Sequence, residues 1–142
     1  MAGFSRVKGS DRGFDTYTIS SLALAVGDLV AFDRTNEVAI KATSSTTPEA
    51  VAGVVVEATT TADTQVLVQR VIDHDEFIVD VTNNSDAGHN YHRMLLTDEN
   101  AVNNTGTDDT TDAAVFMQLS PVGASTEKKI RGRFVTRQDR AA

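Results

Sequence analysis

The chain alternates apolar and polar residues in short runs, the pattern of strands rather than helices. Glu37 to Ala42 places Val38, Ile40 and Ala42 opposite Glu37, Ala39 and Lys41, the period of two expected when one strand face is wet. Glu76 to Val81 repeats it, with Phe77, Val79 and Val81 on one face and Glu76, Ile78 and Asp80 on the other. Ile130 to Val135 sets Ile130 and Phe134 against Arg131 and Arg133, with Gly132 between. Ala50 to Glu57 and Gln65 to Val71 are near-continuous β-branched runs, which predict strands covered on both faces. Gly27–Asp28 before LVAF and the polar stretch Thr59 to Asp63 read as turns.

Helical signals are weak. Ser20–Ser21 before LALAV offers a cap for one short turn, and Gly88 to Leu96 holds no sustained helical stripe, so it reads as a strand. Asp98 to Asp112, rich in Asn, Asp, Thr and Gly, reads as a loop. With 142 residues, no internal repeat and no Pro- or Gly/Ser-rich linker, the expectation is one all-β domain, a small barrel or sandwich with little helix. It divides into an extended N-terminal arm over 1–18 and a β-rich barrel-like domain over 19–142.

Charge refines that division. The net charge is −7, but 1–13 sum to +2 through Arg6, Lys8 and Arg12 against Asp11. Residues 127–142 sum to +4, with six cations against two acids, and 14–126 to −13, with four cations against seventeen acids. An acidic body with basic ends repels phosphate over most of its surface, arguing against nucleic acid, and suits docking on an acidic partner. No apolar run is long enough to span a bilayer, and no membrane association is expected. The absence of cysteine removes disulfides, thiolate metal sites and cysteine nucleophiles.

Candidate chemistry is sparse. His74, His89 and His92 occur without a G-x-S-x-G elbow. His89 and His92, near Asp86, have a spacing that two metal ligands use on a helix, but a strand would turn them to opposite faces. Asp73, Asp75 and Glu76 around His74 read as a soluble hairpin tip, and the acids of 98–112 lack the spacing of a calcium loop. The expectation is no enzyme and no cofactor.

The order GDLVAF, EVAIKA, AVAGVVVEA, QVLVQRV and KKIRGRFV, from Gly27 to Val135, resembles the small β-rich decoration (cement, or auxiliary head) proteins of tailed bacteriophages. The resemblance implies a structural protein on the outer surface of a virion capsid, assembled as a homotrimer or alternatively a homodimer, made in the host cytoplasm and clamping subunits of the major capsid protein. It also implies docking through a terminal arm. Phe4, Phe14 and Tyr17 are then the expected anchors, with Arg6, Lys8, Arg12, Arg131 and Arg133 as the cationic contacts. A carbohydrate- or host-surface-binding β-domain is the alternative.

Overall fold

The computed structural model describes residues 3–9, 13–71, 75–106, 108–136 and Asp139. It is all-β, with twelve strands: β1 Ser5–Lys8, β2 Phe14–Thr18, β3 Leu29–Asp33, β4 Val38–Lys41, β5 Val51–Val55, β6 Gln65–Gln69, β7 Glu76–Val81, β8 Arg93–Met94, β9 Leu96–Asp98, β10 Ala101–Val102, β11 Phe116–Pro121 and β12 Lys129–Phe134. Three single 3₁₀ turns complete it, at Pro48–Ala50, Ala87–His89 and Ser125–Glu127.

The strands form two sheets. One runs β2-β6-β5-β3-β4, every neighbour antiparallel. Its two edge strands, β2 and β4, approach each other, so this sheet curls into a nearly closed barrel. Tyr17 on β2 and Phe32 on β3 stand with ring centroids 5.8 Å apart and pack against the barrel interior, built from Ile19, Leu24, Val30, Ala39, Ala52, Val55, Val66 and Val68. The second sheet runs β8-β11-β12-β7-β10-β9, with β1 also paired to β7. β1 and β10 lie end to end along one edge of β7, β1 antiparallel at Glu76 to Ile78 and β10 parallel at Asp80 and Val81; β12 takes the other edge.

A second core fills the space between barrel and sheet. Leu29 and Val54 enter it from the barrel, and Phe77, Val79, Phe116 and Ile130 from the other sheet. β3 and β5 are therefore a party wall. Leu29 faces one core and Val30 the other, while Val54 faces the first and Ala52 and Val55 the second. A strand buried on both faces has no polar side to show, and this is why VAGVV is continuously apolar. β6 departs from the same expectation: Val66 and Val68 enter the barrel, but Gln65 is exposed and Leu67 and Gln69 are half-buried, so only one of its faces is covered. Gly53 marks tight packing in the wall, since a Cβ there would lie 2.3 Å from the Gln69 carbonyl oxygen.

The N-terminal segment, expected as an extended arm, is built into both sheets. Phe4 is 3% exposed and plugs the inter-sheet core, its ring centroid 5.1 to 6.4 Å from those of Phe77, Phe116 and Phe134. Its amide donates to the Gly27 carbonyl at 2.7 Å. Gly3 has a φ of 97° and passes so close to Gly27 that a Cβ would sit 2.6 Å from that same oxygen, which only glycine accommodates. From there β1 joins one sheet and β2 the other.

Two local readings also change. Residues 20–25 form no helical turn. Gly88 to Leu96 is a 3₁₀ turn followed by the short strand β8 rather than one continuous strand, and the 98–112 region contains the strand β10.

Candidate functional site

The residues expected to make docking contacts fall into three groups. Phe4 is in the core, and Tyr17 packs against the barrel interior. The cations of β1 and β12 form a ladder across the outer face of the second sheet. There Arg131 Nε donates to Glu76 Oε1 at 2.6 Å, Lys8 Nζ lies 3.5 Å from Glu76 Oε2, and Lys129 Nζ donates to Asp80 Oδ1 at 2.6 Å. Register explains this, because β12 and β1 flank β7 and set Arg131 beside Ile78 and Lys8 beside Glu76. Partial burial pushes the Glu76 carboxyl up, but the Arg131 hydrogen bond and charge, with Lys8, outweigh it and hold the group below its ordinary value. Arg6 pairs with Asp75 at 3.6 Å in a largely buried contact, and Arg133 holds Asp139, with Nη2 donating to Oδ1 at 2.8 Å. The third group holds only Phe14, 48% exposed at the start of β2. Arg12 lies outside the described residues, as do Asp73 and His74.

Sequence reasoning missed a buried anchor. Arg93 is almost fully buried and grips Asp108 through two hydrogen bonds, Nε to Oδ1 at 3.1 Å and Nη2 to Oδ2 at 2.7 Å, while Nη1 donates to the Asp139 carbonyl at 2.9 Å. The Arg93 backbone amide also donates to Asp108 Oδ1 at 2.7 Å. The Arg93 bonds hold the Asp108 carboxyl down at about 2. Together they fasten one acid of the 98–112 region to the edge strand β8. A basic residue in a two-residue strand carries no pattern from which this fork is readable.

Two of the exposed large apolar side chains, Phe14 and Ile40, lie on the edge strands of the barrel sheet. Tyr17 points inward, so Phe14, Thr16 and Thr18 of β2 point outward. On β4, Ile40 points outward and is 40% exposed. Beside Ile40, a shallow open groove of about 380 Å³ is lined by Phe32, Thr47 and Ala50, with Asp33, Arg34 and Glu49 around it. The 3₁₀ turn at Pro48–Ala50 shapes one wall, Pro48 supplying a fixed φ at its first position. The groove is an apolar floor with a charged rim, and it lies beside the edge strand β4, which is not hydrogen-bonded to β2. Chemically it is suited to contact and offers no clustered acid, base and nucleophile.

His89 and His92 come together, contrary to the strand reading. Their ring centroids are 5.6 Å apart, on the turn that exposes Tyr91. Among the described residues no group of three or more His, Asp or Glu side chains is arranged to hold a metal ion, and no described helix is long and apolar enough to cross a membrane. No family model matches the chain, and no curated protein matches it.

Proposed function

We propose that this protein is a structural decoration, or cement, module that docks on the outer surface of a tailed-phage capsid and stabilises contacts between coat subunits, acting by binding and not by catalysis. The observation that carries this reading is the edge strand β4, where Ile40 lines an apolar groove, with Phe14 exposed on the other edge strand of the same sheet, β2, to which β4 is not hydrogen-bonded. An open edge accepts a partner strand through its backbone groups, and alternate side chains select the site. We place the docking surface at the barrel edge rather than on the N-terminal segment, since Phe4 is spent on the core, Lys8 on Glu76 and Arg6 on Asp75.

Two further features support the reading. The segments that carry the resemblance are the strands β3, β4, β5, β6 and β12, which build the party wall and frame both cores. The side chains with most chemical potential are engaged in framework bonds: Arg93 with Asp108, Arg131 with Glu76 and Lys129 with Asp80. Many copies on one lattice gain through effective concentration, so a groove of this size suffices even when each contact is weak. The proposed assembly is a homotrimer seated on the major capsid protein.

Substituting Ile40→Asp together with Arg34→Glu tests this surface. Both side chains lie on the surface, so the circular dichroism spectrum and unfolding midpoint should stay close to wild type while occupancy on capsid shells falls at least tenfold. Wild-type occupancy by this variant would place docking elsewhere.

A further inference from the structure

We infer that the turn at residues 86–92 binds one late first-row divalent transition-metal ion, Cu²⁺, Ni²⁺ or Zn²⁺, through the imidazoles of His89 and His92. The turn is tight throughout. Asp86 accepts from the Gly88 amide at 2.9 Å, the Asn90 amide donates to Ala87 at 3.1 Å, and the His92 amide donates to His89 at 3.0 Å. The 3₁₀ turn ends at His89, and a second turn through Asn90 (φ −58°, ψ 134°) and Tyr91 (φ 67°), closed by the His92 amide on the His89 carbonyl, brings the two imidazoles together with centroids 5.6 Å apart and planes inclined by 46°. Two imidazoles on one ion, each nitrogen about 2.0–2.1 Å from it, place their centroids roughly 5 Å apart, close to the separation found here.

The turn is fastened from below by Gln118, which is 0% exposed. Its Nε2 donates to the Asp86 carbonyl at 2.8 Å and to Asn90 Oδ1 at 2.9 Å, and its backbone oxygen accepts from the Tyr91 amide at 2.6 Å. Tyr91 is held at a φ of 67°, a conformation bulky residues adopt only where their surroundings impose it. In this braced assembly three buried polar atoms have no hydrogen-bond partner: His89 Nδ1, His92 Nδ1 and Gln118 Oε1. Buried polar atoms left unmet are costly, and here the unmet atoms are two imidazole nitrogens and one amide oxygen. A pair of imidazoles suits the borderline-soft divalent ions, with other ligands completing the shell.

The chain has no Trp and two Tyr, so its tyrosine emission reports on the site directly. Untagged full-length protein should bind one Cu²⁺ with quenching of Tyr91 and one Ni²⁺ by calorimetry, both at micromolar to sub-millimolar affinity, with a raised unfolding midpoint. His89→Ala and His92→Ala should each weaken binding at least tenfold, and His89→Gln and His92→Gln, which retain a polar side chain, should do the same. Tyr91→Phe should abolish the quenching and leave the calorimetric stoichiometry intact. Absence of binding at millimolar Cu²⁺ and Ni²⁺, meaning a bridging water alone meets these atoms, would overturn the inference. So would wild-type affinity in the histidine variants, which would assign any binding to the acidic 98–112 region.

Discussion

Single residues decide more of this fold than their places in the sequence suggest. Phe4, fourth in the chain and preceded by glycine, looks like a free end, yet it touches three other phenylalanine rings in the inter-sheet core. Phe4→Ala should therefore cost about 3–5 kcal/mol of stability, measured by urea unfolding; a loss below about 1 kcal/mol would mean that the segment is a dispensable arm. Asp108 gives a second residue-scale test. Its carboxyl is held at about 2 by Arg93, below the ordinary 3.8, so it contributes stability that is complete above about pH 4 and lost as pH falls from there through about 2. Asp108→Asn should be less stable than wild type at neutral pH, and the gap between their unfolding midpoints should close across that window. A gap independent of pH would show that the Arg93 fork contributes shape and no charge. None of this was legible in advance, because Phe4 and Asp108 act through long-range partners that local periodicity does not encode.

Strands were the readable level. β3, β4, β5, β6, β7 and β12 lie where alternation or β-branched runs place them, since a side-chain period of two is a direct image of a half-buried strand. β1 and β2 escaped notice for a physical reason. Both sit at edges, where one face and one row of backbone groups remain wet, and their sequences SRVK and FDTYT look no different from solvated chain. The 86–92 turn was misread because Tyr91, His92 and Met94 resemble a strand, whereas the Asp86 cap and the Gln118 bonds that make it a turn come from outside the window. At this scale the ladder on β1, β7 and β12 can be weighed. Glu76 and Arg131 are bonded across neighbouring strands, and a double-mutant cycle should give a coupling of about 0.2–1 kcal/mol that shrinks with salt. Reversing Arg131 alone should then perturb local pairing and leave docking intact; a selective, salt-dependent loss of docking would return the cationic face of β12 to the interface.

As a whole molecule, the protein is two cores divided by β3 and β5, and the all-β class was legible from the alternation alone. The wall couples the halves, because Leu29 and Val30 report to different cores while neighbouring in one strand. Unfolding should accordingly be a single cooperative transition. The proposed docking surface was the least legible part: Phe14 on β2 and Ile40 on β4 are distant in sequence, and their strands approach only when the sheet curls. Charge patterning drew attention to the basic ends instead, and Arg6, Lys8, Lys129, Arg131 and Arg133 proved to be paired within the chain. The most direct test of the docking account is co-sedimentation of the purified protein with capsid shells lacking it, across micromolar concentrations. Saturable binding at a fixed number of copies per coat subunit, with shells that withstand higher temperature once decorated, is the result the account predicts. Protein left wholly in the supernatant at saturating concentration would contradict it.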